Sequence, residues 1–529
     1  MEMATVKAKH WSRVLAEELI ADHGSSTTFT CASGITPSGH VHVGNLRDVL
    51  TIAFVGQYLR QLGVQVRLLH SWDDFDRFRK VPAGVPDSFS EFIGRPVTKV
   101  PDPEDKFPSF AARFASEFEN SVQELDIDIS FKSQTLMYES GIYGPAILEA
   151  VRKRREIFDI INSFRTQPLP EAKRSSYLPI EIYCRRCTRD GTEIELVDEE
   201  KGVVRYQCHK CHISEELSIL TAGNIKLPWK IDWPMRWRHE EVVFEPGGKD
   251  HGTAGGSYFV ASEISRKIFG FSPPRFQAYE FIGLKGVAGK MSSSAGTIVT
   301  PGEALRVYQG VVLKWLFAKV PPLRAFDLPL DQQLSQIYDD YDKSVLAAHS
   351  DPHGLDAETM ALCGSLPAKE DLVSFRTVSS LVALLDGNHV AVHGALTKLR
   401  FSISPFVDER ISKADFWLNE YLPEQRFRLL NSPNCELISA LSDEEKLWVR
   451  QLTEWIRSRQ SITEAEAQAV FNIPVRPNET ADQKKVSQRR FFRCVYGLLF
   501  GRDNGPRLPT LLTAIPSDRY LPLLDAALQ

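Results

Sequence analysis

The stretch Phe29-Thr-Cys-Ala-Ser-Gly-Ile-Thr-Pro-Ser-Gly-His40-Val-His42-Val-Gly44-Asn45 decides the fold. Its apolar start, residues 27–32, reads as a buried strand, and a Gly/Pro/Ser loop follows. Leu46, Val49, Leu50, Ala53 and Phe54 then recur at helical spacing as far as Leu62. Gly44 and Asn45 open that helix. Two histidines and a helix N-terminus therefore meet where a strand ends. Open α/β sheets bind ligands at that place, and helix N–H groups there favour phosphate. Gly39 and Gly44 let the backbone approach a ligand closely. A second apolar run, residues 64–69, completes a βαβ unit with parallel strands and a right-handed crossover. It runs into His70-Ser-Trp-Asp73-Asp74-Phe-Asp76-Arg77. This acidic cluster reads either as a solvated turn with helix-capping aspartates or as part of the site, and its strand-end position favours the site.

The chain has 529 residues, enough for several domains. With 43% hydrophobic and 25% charged residues it has the composition of a globular protein, not a disordered one. A net charge of -5 neither demands nor excludes nucleic acid, because a polyanion needs only a local basic face. Residues 1–23 read as an amphipathic helix and not as a signal peptide, and no apolar stretch is long enough to cross a membrane. A cytoplasmic protein with no membrane partner is expected. Of its eight cysteines, Cys31, Cys363, Cys435 and Cys494 are scattered and the other four form two tight pairs. In a reducing compartment this means a metal site plus single buried thiols.

Residues 81–110 are rich in Pro and Asp and read as a surface connection. Helical patterns resume over 110–125 and 142–164. Cys184-Arg-Arg-Cys187 and Cys208-His-Lys-Cys211 then flank two alternating runs, 193–197 and 203–207, which read as a hairpin. Four thiolates at this spacing fit one closed, structural zinc site; His209 and His212 stand beside the second pair, and the four-cysteine set is preferred. Residues 226–238 are dense in tryptophan with interleaved charge: Trp229, Asp232, Trp233, Arg236 and Trp237. They read either as indole packing or as the wall of a pocket for a cationic ligand. A glycine-rich turn holding Gly248, Lys249, Asp250 and His251 precedes a helix over 257–269 and suits backbone contact with ribose or phosphate. Residues 276–284, with Tyr279 and Glu280, read as a buried strand. Gly286-Val-Ala-Gly-Lys290-Met291-Ser292-Ser293-Ser294-Ala-Gly296 is a loop with phosphate donors. Capping boxes begin helices at Thr300-Pro-Gly-Glu303 and Ser442-Asp-Glu-Glu445. The run Lys484-Lys-Val-Ser-Gln-Arg489-Arg490-Phe491-Phe492-Arg493 combines cations and aromatic rings, which suits RNA, although such faces also occur on plain surfaces.

With Lys290-Met291-Ser292-Ser293-Ser294 in view, the chain carries both signatures of the class I aminoacyl-tRNA synthetases in order. His42-Val43-Gly44-Asn45 stands in the place of HIGH, and Lys290 to Ser294 in the place of KMSKS. Together with the Asp73–Asp76 run, the Cys pairs, the Trp-rich segment and Gly248-Lys249-Asp250-His251, the chain resembles the class I lysyl-tRNA synthetases over nearly its whole length. Asn45 and Ser293 depart from the signatures, which leaves Lys290 as the main fixed positive charge of its loop. Some archaeal-type members carry a second metal site after an Asp-Pro such as Asp102-Pro103; here residues 104–110 hold neither Cys nor His, so one zinc is expected.

The resemblance implies an α/β class: a Rossmann-like catalytic domain with an inserted zinc ribbon, then an all-helical anticodon-binding region. Its parts are residues 1–80 and 216–300 for the two catalytic halves and 81–183 for a connective insertion. Residues 184–215 make the zinc-ribbon lobe, 301–370 a helical stem, and 371–529 the anticodon-binding region. It implies activation of L-lysine with ATP and magnesium, transfer to tRNA(Lys), and no role for DNA. Catalytic roles fall on His42, Asn45, Lys290, Ser292 and Ser293. ATP contacts fall on His40, Gly44, Gly248, Asp250, Lys290 and Ser294. Lysine contacts fall on Gly34, Thr36, Asp73, Asp74, Trp229, Asp232, His251, Tyr279 and Glu280. The metal ligands are Cys184, Cys187, Cys208 and Cys211.

Overall fold

The computed structural model describes residues 9–25, 28–253, 255–284 and 298–529. Two compact units make up the chain. The first holds residues 1–305, 310–328 and 353–364; the second holds 306–309, 329–352 and 365–529. Residues 301–370 are thus shared between them.

The first unit is built on a five-stranded, all-parallel sheet. Helix α1 (Trp11–His23) precedes strand β1 (Phe29–Ile35), helix α2 (Leu46–Gln61) and strand β2 (Val66–Trp72). Helix α3 (Phe110–Glu124) leads to β3 (Ser130–Ser133). β1 and β2 pair in parallel from Phe29–Val66 to Ile35–Trp72, as the βαβ reading requires. α2 buries Leu46, Val49, Leu50, Phe54 and Leu59 against the sheet. The segment before α3 carries its own small core, in which Phe78, Phe89, Val97 and Val100 pack on Phe110 and Phe114. It is more than the plain surface connection that its Pro and Asp content suggests.

The insertion follows as helices α4 (Gln134–Glu139), α5 (Gly144–Arg152) and α6 (Arg154–Ser163). The helical pattern of 142–164 is therefore broken at Lys153. An antiparallel three-stranded ribbon comes next: β4 (Thr192–Asp198), β5 (Val203–Cys208) and β6 (Ser214–Ser218). The chain then returns to the main sheet through α7 (Trp229–Glu240), β7 (Val242–Gly248), α8 (Ser257–Lys267) and β8 (Arg275–Tyr279). The sheet order is β8-β7-β1-β2-β3. Chain order reverses between β1 and β7, and the C-terminal ends of those two strands open the crevice in which such sheets bind ligands.

The expected strand over 276–284 is two strands. β8 ends at Tyr279, and Ile282–Leu284 pairs instead with Phe326–Leu328 in a separate two-stranded sheet. The break at Glu280 and Phe281 turns the chain at the mouth of the crevice.

The second unit is helical. Arg410, fully buried, holds it together through both oxygens of Asp342 (2.9 Å each), Gln309 (3.0 Å) and the carbonyl of Val373 (2.6 Å). The Ser442–Glu445 capping box forms as read, and it begins the helix Asp443–Arg457. In the helix Ala481–Phe500, Phe491 is buried and Arg490 is paired with Glu444 and Glu445. Phe491 is thus core and offers no ring to a base. Lys484, Lys485 and Arg489 remain on the exposed side.

Candidate active site

A cavity of about 210 Å³ lies at the sheet's reversal point. Gly34 and Ile35 at the end of β1, Gly247 and Gly248 at the end of β7, and Tyr279 at the end of β8 form one side. His42, Gly44 and Asn45 come from the turn that opens α2, and Trp229 from the first turn of α7. Asp250 and His251 come from the glycine-rich turn. Nine of the residues picked out from sequence therefore meet here: Gly34, His42, Gly44, Asn45, Trp229, Gly248, Asp250, His251 and Tyr279. The glycines are needed for this approach. A Cβ at Gly248 would meet the Asp250 carboxylate at 2.6 Å, and one at Gly256 would meet the His251 carbonyl at 2.4 Å. Val43 N–H donates to the carbonyl of Val299 (2.7 Å), so the chain that leads into the helix Pro301–Val307 runs beside the first signature turn. Lys290, Ser292, Ser293 and Ser294 lie outside the described residues.

Of the eight other lining residues, three carry polar side chains: Asp48, Trp233 and Glu245. Asp48 is buried and accepts the Tyr279 hydroxyl at 2.8 Å. Burial pushes its carboxyl up to about 8, against the pull of that hydrogen bond. Glu245 is buried and accepts both indole N–H groups of Trp233 (3.0 Å) and Trp237 (2.6 Å). Burial raises it to about 7, with the two indoles and Arg236 pulling the other way. Among the described residues neither carboxylate has an ion-pair partner. The indoles meet in sequence at i and i+4: Trp229 stacks on Trp233 at 4.9 Å, and Trp237 lies tilted against Trp233 at 4.9 Å. The Trp-rich segment packs its indoles together, and Trp229 and Trp233 also line the cavity.

The structure places the remaining candidates elsewhere. Asp73 is bound by the Arg236 guanidinium (2.6 Å), which also pairs with Asp232 (3.1 Å) and stacks over Trp229 (5.2 Å). Asp232 takes a further hydrogen bond from the Tyr138 hydroxyl. Neither acid lines this cavity, but Asp73 lines a smaller adjoining hollow together with Gly34, Trp229, Trp233 and Glu245. Asp74 accepts from Ser133 Oγ (2.5 Å) and from the Thr135 N–H (2.7 Å), where it ties β3 to the start of α4. Thr36 donates to Asp76 (3.1 Å), which is itself paired with buried Lys226. Glu280 pairs with Lys249 (2.8 Å) at the turn after β8. His40 is half exposed; its Nδ1 meets Glu117 at 2.8 Å, which raises its pKa, and its ring packs edge-on to Phe114. It braces the first loop from outside the cavity.

The four pair cysteines converge in the ribbon, with all sulfurs within 4.8 Å of one another and two contacts at 3.5 Å. A tetrahedral ion with metal–sulfur bonds of about 2.3 Å needs sulfurs about 3.8 Å apart, so the set can hold one metal ion. The predicted hairpin is present as β4 and β5, and β6 extends it.

The family described as tRNA synthetases class I (K) matches residues 9–361. The chain belongs to the class I tRNA synthetases. Several curated relatives carry the name lysine–tRNA ligase, among them those of three organisms. That of Streptomyces coelicolor is 35% identical over 97% of this chain and 98% of its own length. That of Pyrococcus horikoshii is 34% identical over 96% and 97%. That of Borreliella burgdorferi is 31% identical over 97% and 98%. Membership in this class gives the chain its substrates: ATP, an amino acid and tRNA. Among the described residues, no helix is long and apolar enough to cross a membrane.

Proposed function

We propose that the chain is a lysine–tRNA ligase, which makes lysyl-adenylate from L-lysine and ATP and passes the lysyl group to the 3′ ribose of tRNA(Lys). One observation carries the choice of amino acid. The cavity holds two buried acids, Asp48 and Glu245, with no ion-pair partner among the described residues, and lysine brings two ammonium groups. A buried charge without a partner is costly, so each acid gains a charge-assisted bond when the substrate enters. Trp229 and Trp233 cover the methylene chain between them. A glutamate side chain would place a third negative charge there.

In the first step a carboxylate oxygen of lysine attacks the α-phosphorus of ATP, the bond to the bridging oxygen breaks, and pyrophosphate leaves. The nucleophile is already an anion, so no general base is needed, and positioning and charge stabilisation supply the rate. His42 and Asn45 face the α-phosphate, with Gly44 N–H at the helix opening. Gly248 and Asp250 take the ribose. Lys290, with Ser292, Ser293 and Ser294, meets the departing pyrophosphate. Magnesium accompanies the ATP phosphates. In the second step the 2′-hydroxyl of the terminal ribose attacks the acyl carbon, and AMP leaves. The metal held by Cys184, Cys187, Cys208 and Cys211 is zinc, with a structural role because all four positions are filled by protein. Residues 371–529 read the anticodon, and the protein works in the cytoplasm.

The test is amino-acid-dependent ATP–pyrophosphate exchange with all twenty amino acids, in the presence of total tRNA. Exchange with lysine alone is the expected result. Exchange with a different amino acid overturns the pocket reading.

A further inference from the structure

Helix α2 holds the wall of the cavity at Tyr279 through two adjacent side chains. Asp48 takes the Tyr279 hydroxyl at 2.8 Å, and Arg47 turns to the backbone that follows Tyr279. The Arg47 guanidinium donates to the carbonyls of Glu280 (3.4 Å), Val320 (3.2 Å) and Pro321 (2.9 Å). It also lies over the Phe326 ring at 5.2 Å. The side chain is buried, and among the described residues no carboxylate forms an ion pair with it. Burial pushes its pKa down to about 10, so it stays charged at neutral pH. A buried cation balanced only by carbonyl dipoles and a ring is costly, and an apolar side chain would fill the same space without that cost. What the guanidinium adds is the junction it makes.

That junction lies on the rim of the reaction site. Tyr279, Phe281 and Ile282 line the cavity. Glu280, between them, has every polar group occupied. Its N–H donates to Pro322 O (2.8 Å), its carbonyl accepts from Arg47, and its carboxylate pairs with Lys249 (2.8 Å). Ile282–Leu284 then pairs with Phe326–Leu328, so Arg47 binds both chains just before they enter that two-stranded sheet. Only a planar fork with donors on two nitrogens spans both chains at once; an ammonium is a point donor. The helix that opens at Gly44 and Asn45 therefore also fixes the cavity rim, from its own first turn.

We propose that Arg47 is a positioning residue for amino-acid activation: by tying Glu280 to Val320 and Pro321 it sets the rim from Tyr279 to Ile282, and with it the hydroxyl that orients the Asp48 carboxylate towards the substrate ammonium. The proposal rests on the ligase reading above. The test uses full-length Arg47→Lys, which keeps the charge and loses the fork. It is compared with wild type, Tyr279→Phe and the double variant in lysine-dependent pyrophosphate exchange, with urea midpoints as the check of folding. Arg47→Lys is expected to raise KM for lysine about tenfold and to leave KM for ATP within about twofold. Because Arg47 acts through Tyr279, the double variant should be no more than about twofold worse for lysine than Tyr279→Phe alone, whereas independent roles would multiply the two losses. In the ligand-free protein, amide hydrogen exchange at residues 280–284 should quicken in Arg47→Lys while that of α8 keeps the wild-type rate. If Arg47→Lys does not fold, Phe326→Leu carries the test: it removes the ring under the guanidinium and should shift the same readouts in the same direction, by less. Unchanged lysine KM and unchanged hydrogen exchange, equal rises in both KM values, or multiplied losses in the double variant overturn the proposal. If wild type activates a different amino acid, the same readouts are taken on that one, and only the lysine reading falls. If wild type activates none, the ligase reading falls, and hydrogen exchange at 280–284 alone decides whether Arg47 holds the rim.

Discussion

Two groups of acids flank the Trp-rich helix α7, and they differ in one respect. Asp73, Asp76 and Asp232 are each met by a buried cation, Arg236 or Lys226. Asp48 and Glu245 are met only by neutral donors, a tyrosine hydroxyl and two indoles. Asp73 and Asp76 follow the end of β2, Asp232 and Asp48 stand in the first turns of α7 and α2, and Glu245 lies inside β7. What separates them is that the protein neutralises the first group itself, while the second has no ion-pair partner among the described residues. On the proposed function, the missing partner and not the density of carboxylates marks the place for a cation.

The sharpest way to break this comparison is to remove the cation from the first group. Arg236→Met leaves Asp73 and Asp232 buried without a charge partner, and should lower the unfolding free energy by about 3–5 kcal/mol in urea denaturation. A loss below about 1 kcal/mol would erase the distinction between the two groups. Next in size, Asp48→Asn and Glu245→Gln should each reduce kcat/KM for lysine by about a hundredfold while leaving the fold intact, because each removes one charge-assisted bond worth about 1.5–3 kcal/mol. Equal losses in Asp73→Asn would assign the first group to substrate after all.

The third prediction concerns pH. In the free protein Glu245 holds its proton up to about 7 and Asp48 up to about 8. An ammonium group binds the carboxylate, so binding releases that proton at lower pH. Lysine affinity should therefore rise by up to about tenfold per pH unit for each proton released, and level off above about 8. The stability of the ligand-free protein moves the other way. The unfolded chain gives up these protons in the ordinary carboxylate range and the folded chain retains them, so stability falls as pH rises towards 7 and 8. Isothermal titration and urea midpoints across pH 6–9 check the two trends. The smallest effect is expected from Trp229→Leu, which removes the ring stacked over Arg236 and should raise KM for lysine severalfold, a cost of about 1 kcal/mol.

Local patterns made much of the site legible. The strand–turn–helix around His42 and Asn45, the cysteine pairs and the glycine-rich turn each announce themselves within a few residues, and the structure forms all three. Asp48 is hidden because it follows Asn45 by three positions in the first turn of a helix, beside Arg47, where an acid reads as an ordinary helix-start residue. Glu245 was hidden inside a strand. The available signal was a lone acid within a buried run, which has to be paired or functional. Asp73 and Asp232 are harder to read from sequence for a different reason. Arg236 follows Asp232 by one helical turn, and that pair could be read from spacing. Its bond to Asp73 joins residues far apart in the chain, and only the assembled sheet reveals it. The break at Glu280 escaped notice because both halves of 276–284 are apolar, and their different sheet partners leave no trace in composition.

The order of the central sheet also has a consequence for synthesis. β1 lies between β2, which follows it closely, and β7, which comes only after the whole insertion. On the ribosome, the first βαβ unit therefore emerges with one edge of β1 open and with Asp48 still lacking the Tyr279 hydroxyl. The insertion lobe is made during that wait. A delay in translating or folding the four-cysteine ribbon would prolong the exposure of an unpaired edge, so the pace at which the ribbon closes bears on solubility as well as on final shape.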